Sequence, residues 1–331
     1  MGADFAIDLG TANTVVWARR RGIVIREPTV VAMDVRSGKV IAAGQRAYDT
    51  VATARRPAQL ERPLDGGAVT DFAMTASMLR LLFDRLGISR FSRTGVLISV
   101  PSGVTPVERD ALRDAAKQAG AGRVYLIEEP MAASIGAGMP IQDPVGSMVV
   151  DIGGGNTEVA VISLGGVVVS KAVRVGGFDL DLAVQSWVRD HFDIAIGDRT
   201  AEELKMALGR AFPAPDGVAA EVRGRDLEGG GARVVRVESE QIRVALEKPT
   251  AAIAGVVIDT LSECPPELAQ DVMGQGILLV GGGALLEGLD QRIEAETQVT
   301  VRVADNPLDA VITGAGAAID ADWDLGTVFG A

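Results

Sequence analysis

The chain has 331 residues, 47% hydrophobic and 23% charged, with a net charge of −12. That length exceeds one comfortable core, so two lobes are expected. The negative balance argues against broad nucleic-acid binding, which needs a basic face. One cysteine, Cys264, and one histidine, His191, exclude an internal disulfide and any multi-cysteine or multi-histidine zinc site. No apolar run approaches 18 residues, so no membrane-spanning helix is expected, and the opening residues lack a secretory pattern.

Short Val- and Ile-rich runs predict strands at 4–9, 14–18, 23–26, 29–34, 95–100, 123–127, 146–151, 158–163, 166–175, 218–223, 233–237, 276–280 and 299–303. Phe72, Ala76, Leu79, Phe83 and Leu86 keep the period of a one-faced helix. Thr105-Pro106-Val107-Glu108 is a capping box that starts a helix running to Gly120. Further helices fit 131–138, 178–192, 201–209, 239–262, 285–295 and 308–320, where Gly314 and Gly316 point to close packing. Alternating strands and helices define an α/β class with mixed sheets. Weak breaks fall at 55–67, 140–146 and 210–217, and 224–231 reads as a hairpin loop.

One pattern occurs twice. Asp8-Leu9-Gly10-Thr11-Ala12-Asn13-Thr14 and Asp151-Ile152-Gly153-Gly154-Gly155-Asn156-Thr157 each follow an apolar run, and each is followed by a second strand, a turn and a third strand. The repetition predicts two related subdomains. A tight turn between strands exposes backbone N–H groups, and glycine lets that backbone approach phosphate oxygens closely. The adjoining carboxylates, Asp8 and Asp151, would repel phosphate directly, so a cation should stand between. Magnesium fits, because it keeps several waters and takes one or two carboxylates with phosphate oxygens. The two copies are therefore expected to grip one nucleotide polyphosphate, one from each lobe.

Neither a P-loop nor a dinucleotide-binding glycine motif is present. A third glycine loop, Gly281-Gly282-Gly283-Ala284, follows an apolar strand and leaves room for a base or ribose. Pro130 suits the first turn of a helix, which puts Glu129 at its cap and at a strand end, where it could orient an attacking water. Thr200-Ala201-Glu202-Glu203 reads as a second capping box engaging Glu203. Glu202 and Lys205, three apart, share a face that could meet ribose or base; a surface ion pair is the plain alternative.

Taken in order, these features resemble the actin and sugar-kinase ATPase superfamily. AIDLGTANTVVW, ISVPSGVTPVERDAL, VYLIEEPMAASIGAGMP, VVDIGGGNTEVAVISLGGVVVS, RTAEELK and LVGGGALLEGLD are similar to the MreB/Mbl family of bacterial actin homologues, and the likeness runs from about residue 4 to 320. The resemblance implies an actin-like fold of two lobes, each built on a duplicated ribonuclease H-like mixed sheet. It divides the chain into subdomains IA (1–32, 67–143, 310–331), IB (33–66), IIA (144–176, 250–309) and IIB (177–249). It implies ATP and Mg2+ as cofactors and homopolymeric filaments at the inner face of the cell membrane. The implied partners are that membrane surface and cell-wall synthesis and morphogenesis proteins, with no nucleic acid.

Carried over by position, Asp8 and Asp151 hold the hydrated metal, Gly10 to Asn13 and Gly153 to Gly155 cradle phosphates, and Gly281 to Ala284 take the adenosine. Glu202 and Lys205 reach base and ribose, and Glu129 positions water. Two departures stand out. Asn156 replaces a threonine that helps place the water, which predicts slow hydrolysis, and Phe178 replaces an acidic residue. Family members often carry an N-terminal amphipathic helix; here the expected membrane contact is the loop from Ile88 to Arg93, through Ile88 and Phe91 with flanking arginines. A small-molecule kinase or a non-polymerising ATP-dependent regulator would fit the same scaffold.

Overall fold

In the computed structural model, which describes residues 3–54, 57–88, 93–213 and 217–321, the chain begins with an antiparallel meander. Its strands are β1 (Phe5–Leu9), β2 (Asn13–Ala18) and β3 (Gly22–Pro28). A small sheet follows from β4 (Val31–Asp34), β5 (Lys39–Ala43) and, after helix α1 (Gln45–Thr53), β6 (Ala58–Glu61); β7 (Leu64–Asp65) and β8 (Ala68–Val69) form a short hairpin. Then come α2 (Phe72–Leu86), β9 (Gly95–Val100), α3 (Pro106–Ala119), β10 (Arg123–Glu128) and α4 (Glu129–Gly136). β9 joins β1 in parallel and β10 joins β9, giving the order β10-β9-β1-β2-β3.

The second half repeats this plan with β11 (Ser147–Ile152), β12 (Thr157–Ser163) and β13 (Gly166–Val173). An insertion of α5 (Gly177–Phe192), β14 (Ile194–Ala195), α6 (Asp198–Leu208), β15 (Ala219–Asp226) and β16 (Ala232–Glu238) carries its own three-stranded sheet. The 25-residue α7 (Ser239–Glu263) and α8 (Pro266–Gln275) lead to β17 (Ile277–Val280), α9 (Leu289–Thr297) and β18 (Val301–Val303). The sheet order is β13-β12-β11-β17-β18, with β17 parallel to β11 and β18 to β17. Strand for strand, it is the first sheet again. The chain divides into two compact units, Met1–Ile141 with Leu308–Ala331, and Gln142–Pro307. Each has its own core, around Ile7, Phe83 and Ile98 in the first and Val150, Val161 and Leu279 in the second.

Local chemistry sets the boundaries. Thr105 and Glu108 form the expected box: Thr105 N–H donates to Glu108 Oε2 (2.8 Å) and Glu108 N–H to Thr105 Oγ1 (3.3 Å). Asp71 caps α2 by accepting from Met74 N–H at 2.9 Å. That helix ends at Gly87, which adopts φ +71°, and Ile88 N–H reaches back to the Phe83 carbonyl at 2.9 Å. Ile88 thereby folds onto the helix it follows and is 2% exposed in the first core. It is therefore not a lipid-facing residue, and Phe91 lies outside the described residues. The elements absent from the sequence reading are β5, β6, β7, β8, β14, α1 and α8.

The final helix, α10 (Ala310–Asp320), belongs to the first unit, where it packs on α4, β1, β2 and β9. Its crossing with α4 is reciprocal: a Cβ on Gly136 would strike the Ala310 carbonyl, and one on Gly314 the Ala132 carbonyl. Gly316 lies against the Trp17 ring in the same way. Gly314→Ala should therefore cost about 1–3 kcal/mol through overpacking. Gly255→Ala in α7, where nothing lies within 4 Å of the new methyl, should be neutral or stabilise by up to about 1 kcal/mol. Denaturant unfolding of the two variants checks this; equal stabilities would contradict the packing account.

Candidate functional site

Within the first unit, the ends of β1, β9 and β10 collect Asp8, Ser99 and Glu129. Ser99 Oγ donates to Asp8 Oδ1 at 2.8 Å. Burial pushes the Asp8 carboxyl up to about 6, partly opposed by the Ser99 bond and by Arg26, while Asp309 adds to the rise. Arg26 is itself ion-paired with Asp309. A carboxylate made costly by burial is a group that a nearby cation would relieve.

The turn after Asp8 is closed by Gly10 N–H donating to the Asn13 carbonyl (3.1 Å). Thr29 then fastens it, with its hydroxyl on the Gly10 carbonyl (2.7 Å) and its N–H on the Ala12 carbonyl (2.9 Å). Thr11, 4% exposed, accepts from Gly67 N–H at 2.7 Å, whereas Asn13 is exposed. The loop thus turns its carbonyls onto the protein, the arrangement that presents amide donors to an anion.

Glu129 is buried and occupies the first position of α4, not its cap. The cap is Glu128, whose carboxylate pairs with Arg109 at 2.7 Å. Register places Ile127 beside Ser99, so Glu129 follows on the same edge of the sheet as Asp8.

Within the second unit the same turn recurs. Gly153 N–H donates to the Asn156 carbonyl at 2.9 Å. Here the carbonyls are taken by the start of α5: Gly177 N–H bonds Gly153 (3.0 Å) and Phe178 N–H bonds Gly154 (2.8 Å). The approach is so close that a Cβ on Gly176 would lie 2.8 Å from Asn156 N and from the Gly153 carbonyl. Asp151 is 8% exposed at the end of β11. Gly281, at φ +79°, lies directly against its carboxylate and the Ile152 carbonyl, and Gly283 against the Ile152 side chain. These two glycines thus have a packing reason of their own. Gly282 is exposed, and Ala284 is buried in the core, so it can offer a ligand only its backbone.

Helix α6 starts at Asp198 after a Gly197 cap, so Thr200 sits inside it and the expected second capping box is not formed. Glu203 pairs instead with Arg199 at 2.8 Å. Glu202 is exposed one turn before Lys205. Lys205 Nζ lies 2.8 Å from Asp181 Oδ1 and donates to the Gly177 carbonyl (3.3 Å), tying α6 to the segment that holds the second loop. Burial raises the Asp181 carboxyl, Lys205 pulls it back, and Glu202 and Asp198 add to the rise.

Ser99, Thr29, Gly176 and Asp181 are absent from the sequence reading. Ser99 alone carried a signal, a hydroxyl one residue before the end of the apolar strand GVLISV. Among the described residues, no three of His, Cys, Asp and Glu gather into a metal cage, and no helix is long and apolar enough to cross a membrane.

Two sheets of one topology, each bearing an Asp-x-Gly turn at the same strand junction, define an α/β fold of the actin type. The comparisons agree. The sequence model described as MreB/Mbl protein matches residues 2–325, and the chain belongs to the MreB/Mbl family. It is 45% identical to the cell shape-determining protein MreB of Escherichia coli K12, covering 96% of this chain and 93% of that one. It is 41% identical to the cell shape-determining protein Mbl of Bacillus subtilis 168, covering 96% of each. The crystal structure of MreB5 of Spiroplasma citri bound to ADP superposes with a TM-score of 0.90 at 34% identity, over 98% of this chain and 97% of that one.

The ion pair of Lys205 and Asp181 has side chains 15% and 12% exposed. Lys205→Met should therefore destabilise the protein by about 2 kcal/mol, mostly through the carboxylate left behind. Asp181→Asn added to it should recover part of that loss. Chemical denaturation of the three variants is the check; a double variant less stable than Lys205→Met would contradict it.

Proposed function

We propose that this chain binds ATP with hydrated magnesium through its two Asp-Gly turns and assembles into filaments that guide cell-wall synthesis. The observation that carries the reading is the repeated turn, closed by the same amide-to-carbonyl bond at 3.1 Å after Asp8 and 2.9 Å after Asp151. Membership of a family whose relatives are named cell shape-determining proteins supports the role, and ADP in MreB5 supports the ligand.

The turns from Gly10 to Asn13 and from Gly153 to Gly155 would cradle the phosphates, with the Gly10 and Gly153 amides closing the turns and the amides between them donating to phosphate oxygens. Asp8 and Asp151 would hold the metal through water, and the metal would neutralise phosphate charge there. Single carboxylates suit a hydrated magnesium better than a dehydrated cation that needs a full protein cage. The 281–283 loop would receive the adenosine, with Lys205 and Glu202 toward ribose and base. Glu129 and Asn156 would act on the attacking water. In this reading each unit contains two subdomains, with 33–66 and 177–249 as the smaller pair.

The site of action is the inner face of the cell membrane, and the partners are further copies of this chain and the wall-building proteins. With Ile88 in the core, membrane contact falls to Phe91 and its neighbouring arginines, on the physical ground that an apolar residue between cations suits an anionic surface.

Titration calorimetry with ATP and magnesium, followed by sedimentation and negative-stain microscopy, tests the reading. The wild type should bind and form filaments. Asp8→Asn with Asp151→Asn should weaken magnesium-dependent binding at least about tenfold and abolish filaments. The same filaments should float with anionic vesicles in a density gradient, and Phe91→Ser should leave them at the bottom. Undiminished binding in the double variant would refute the loop assignment.

A further inference from the structure

The two turns share a sequence pattern and a closing bond, but they differ behind the asparagine. In the first sheet Asp8 faces Val15 across the hairpin; in the second Asp151 faces Glu158. The duplication thus supplies an internal control. Asn13, with valine at that position, is exposed. Asn156 is 8% exposed, and its Nδ2 donates to Glu158 Oε1 at 3.2 Å, with Glu158 itself 2% exposed.

In the structure the NH2 group of Asn156 faces Glu158 Oε1 and its oxygen faces away. The oxygen accordingly lies on the Gly153 side: a Cβ on Gly153 would be 3.3 Å from Asn156 Oδ1. Without the carboxylate, the amide could turn over and offer its donors to the loop instead. Burying a carboxylate is expensive, and the first turn closes with valine in its place.

We propose that Glu158 is a positioning residue that locks Asn156 with Oδ1 toward the phosphate turn, so that Asn156 accepts a hydrogen bond from the attacking water. This rests on the reading of the chain as an ATPase. Hydrolysis joins the water oxygen to the γ-phosphorus as the bond to the β,γ-bridging oxygen breaks, and yields ADP and phosphate, which carries the released proton. A water whose O–H is held by an acceptor keeps a lone pair for the phosphorus, whereas one facing an NH2 group has that lone pair occupied. Asn156 thus substitutes for a hydroxyl at this position only while its amide is held one way round.

The test is a cycle of substitutions with two readouts. Glu158→Leu should lower kcat about tenfold and leave KM for ATP within about twofold, because orientation and not binding is lost. Glu158→Gln, which keeps the volume and an acceptor, should retain most of the turnover. Asn156→Thr should raise turnover, and adding Glu158→Leu to it should cost less than about twofold, since a hydroxyl needs no fixed flip.

The second readout needs no nucleotide. The chain has three asparagines, at positions 13, 156 and 306. Selective 15N-asparagine labelling therefore gives three side-chain NH2 pairs, of which Asn156→Thr removes one. In Glu158→Leu that pair should shift while the other two stay. An unmoved Asn156 pair, or an equal loss of kcat in both backgrounds, overturns the proposal. A wild type that binds ATP but fails these comparisons refutes only the role of Glu158; one that binds no ATP overturns the ATPase reading and the proposal together.

Discussion

The structure depends on one short bond made twice, from a glycine amide to the carbonyl of the asparagine three residues on. It closes the hairpin between the first two strands of each sheet and forces the chain to double back just beyond an aspartate. Everything around it serves to hold that turn with its carbonyls inward. Thr29 does so in the first unit and the first residues of α5 do so in the second. The means differ while the outcome is the same, a turn whose carbonyls are bonded inward.

The aspartates beside the turns show the electrostatic side of the arrangement. Asp8 is held by a serine hydroxyl and sits near an Arg26–Asp309 pair, yet burial dominates and its acidity is suppressed. Asp181, within α5, is also raised by burial, but it already has its cation partner in Lys205. Folding alone gains little from placing carboxylates where their charge is penalised. A site that receives a cation and a polyanion together recovers the penalty on binding.

The large frame was legible because it is written in strong periodicity. SMVVDI and ILLV are wholly buried strands, FAIDL is buried at three of its five positions, and α2 and α3 carry apolar faces with side-chain caps at Asp71 and Thr105. The elements that escaped notice bury little. α1 has one buried residue, Ala47, and α8 one, Val272, so neither has a stripe to read. β7, β8 and β14 have two residues each. The two turns of the candidate site were legible where backbone chemistry demanded glycine beside a carboxylate, at Asp8, Gly10, Asp151 and Gly153. It was illegible where a role arises from packing across distant segments, as for Thr29 under the first loop or Gly176 under the second. Beside the one-residue shift of Glu129 from the cap into α4, two assignments failed because a local pattern lost to its surroundings. Thr200 could not cap a helix that already began at Asp198, and Ile88 was drawn into the core by the turn that ends α2.

If the duplicated turns act as one clamp, their amides must respond to one ligand together. Hydrogen–deuterium exchange of the full-length protein, with and without ATP and magnesium, reads both in a single experiment. Peptides spanning 10–13 and 153–156 should slow in parallel and over the same range of ATP concentration. Protection of one turn with the other unchanged would contradict the account.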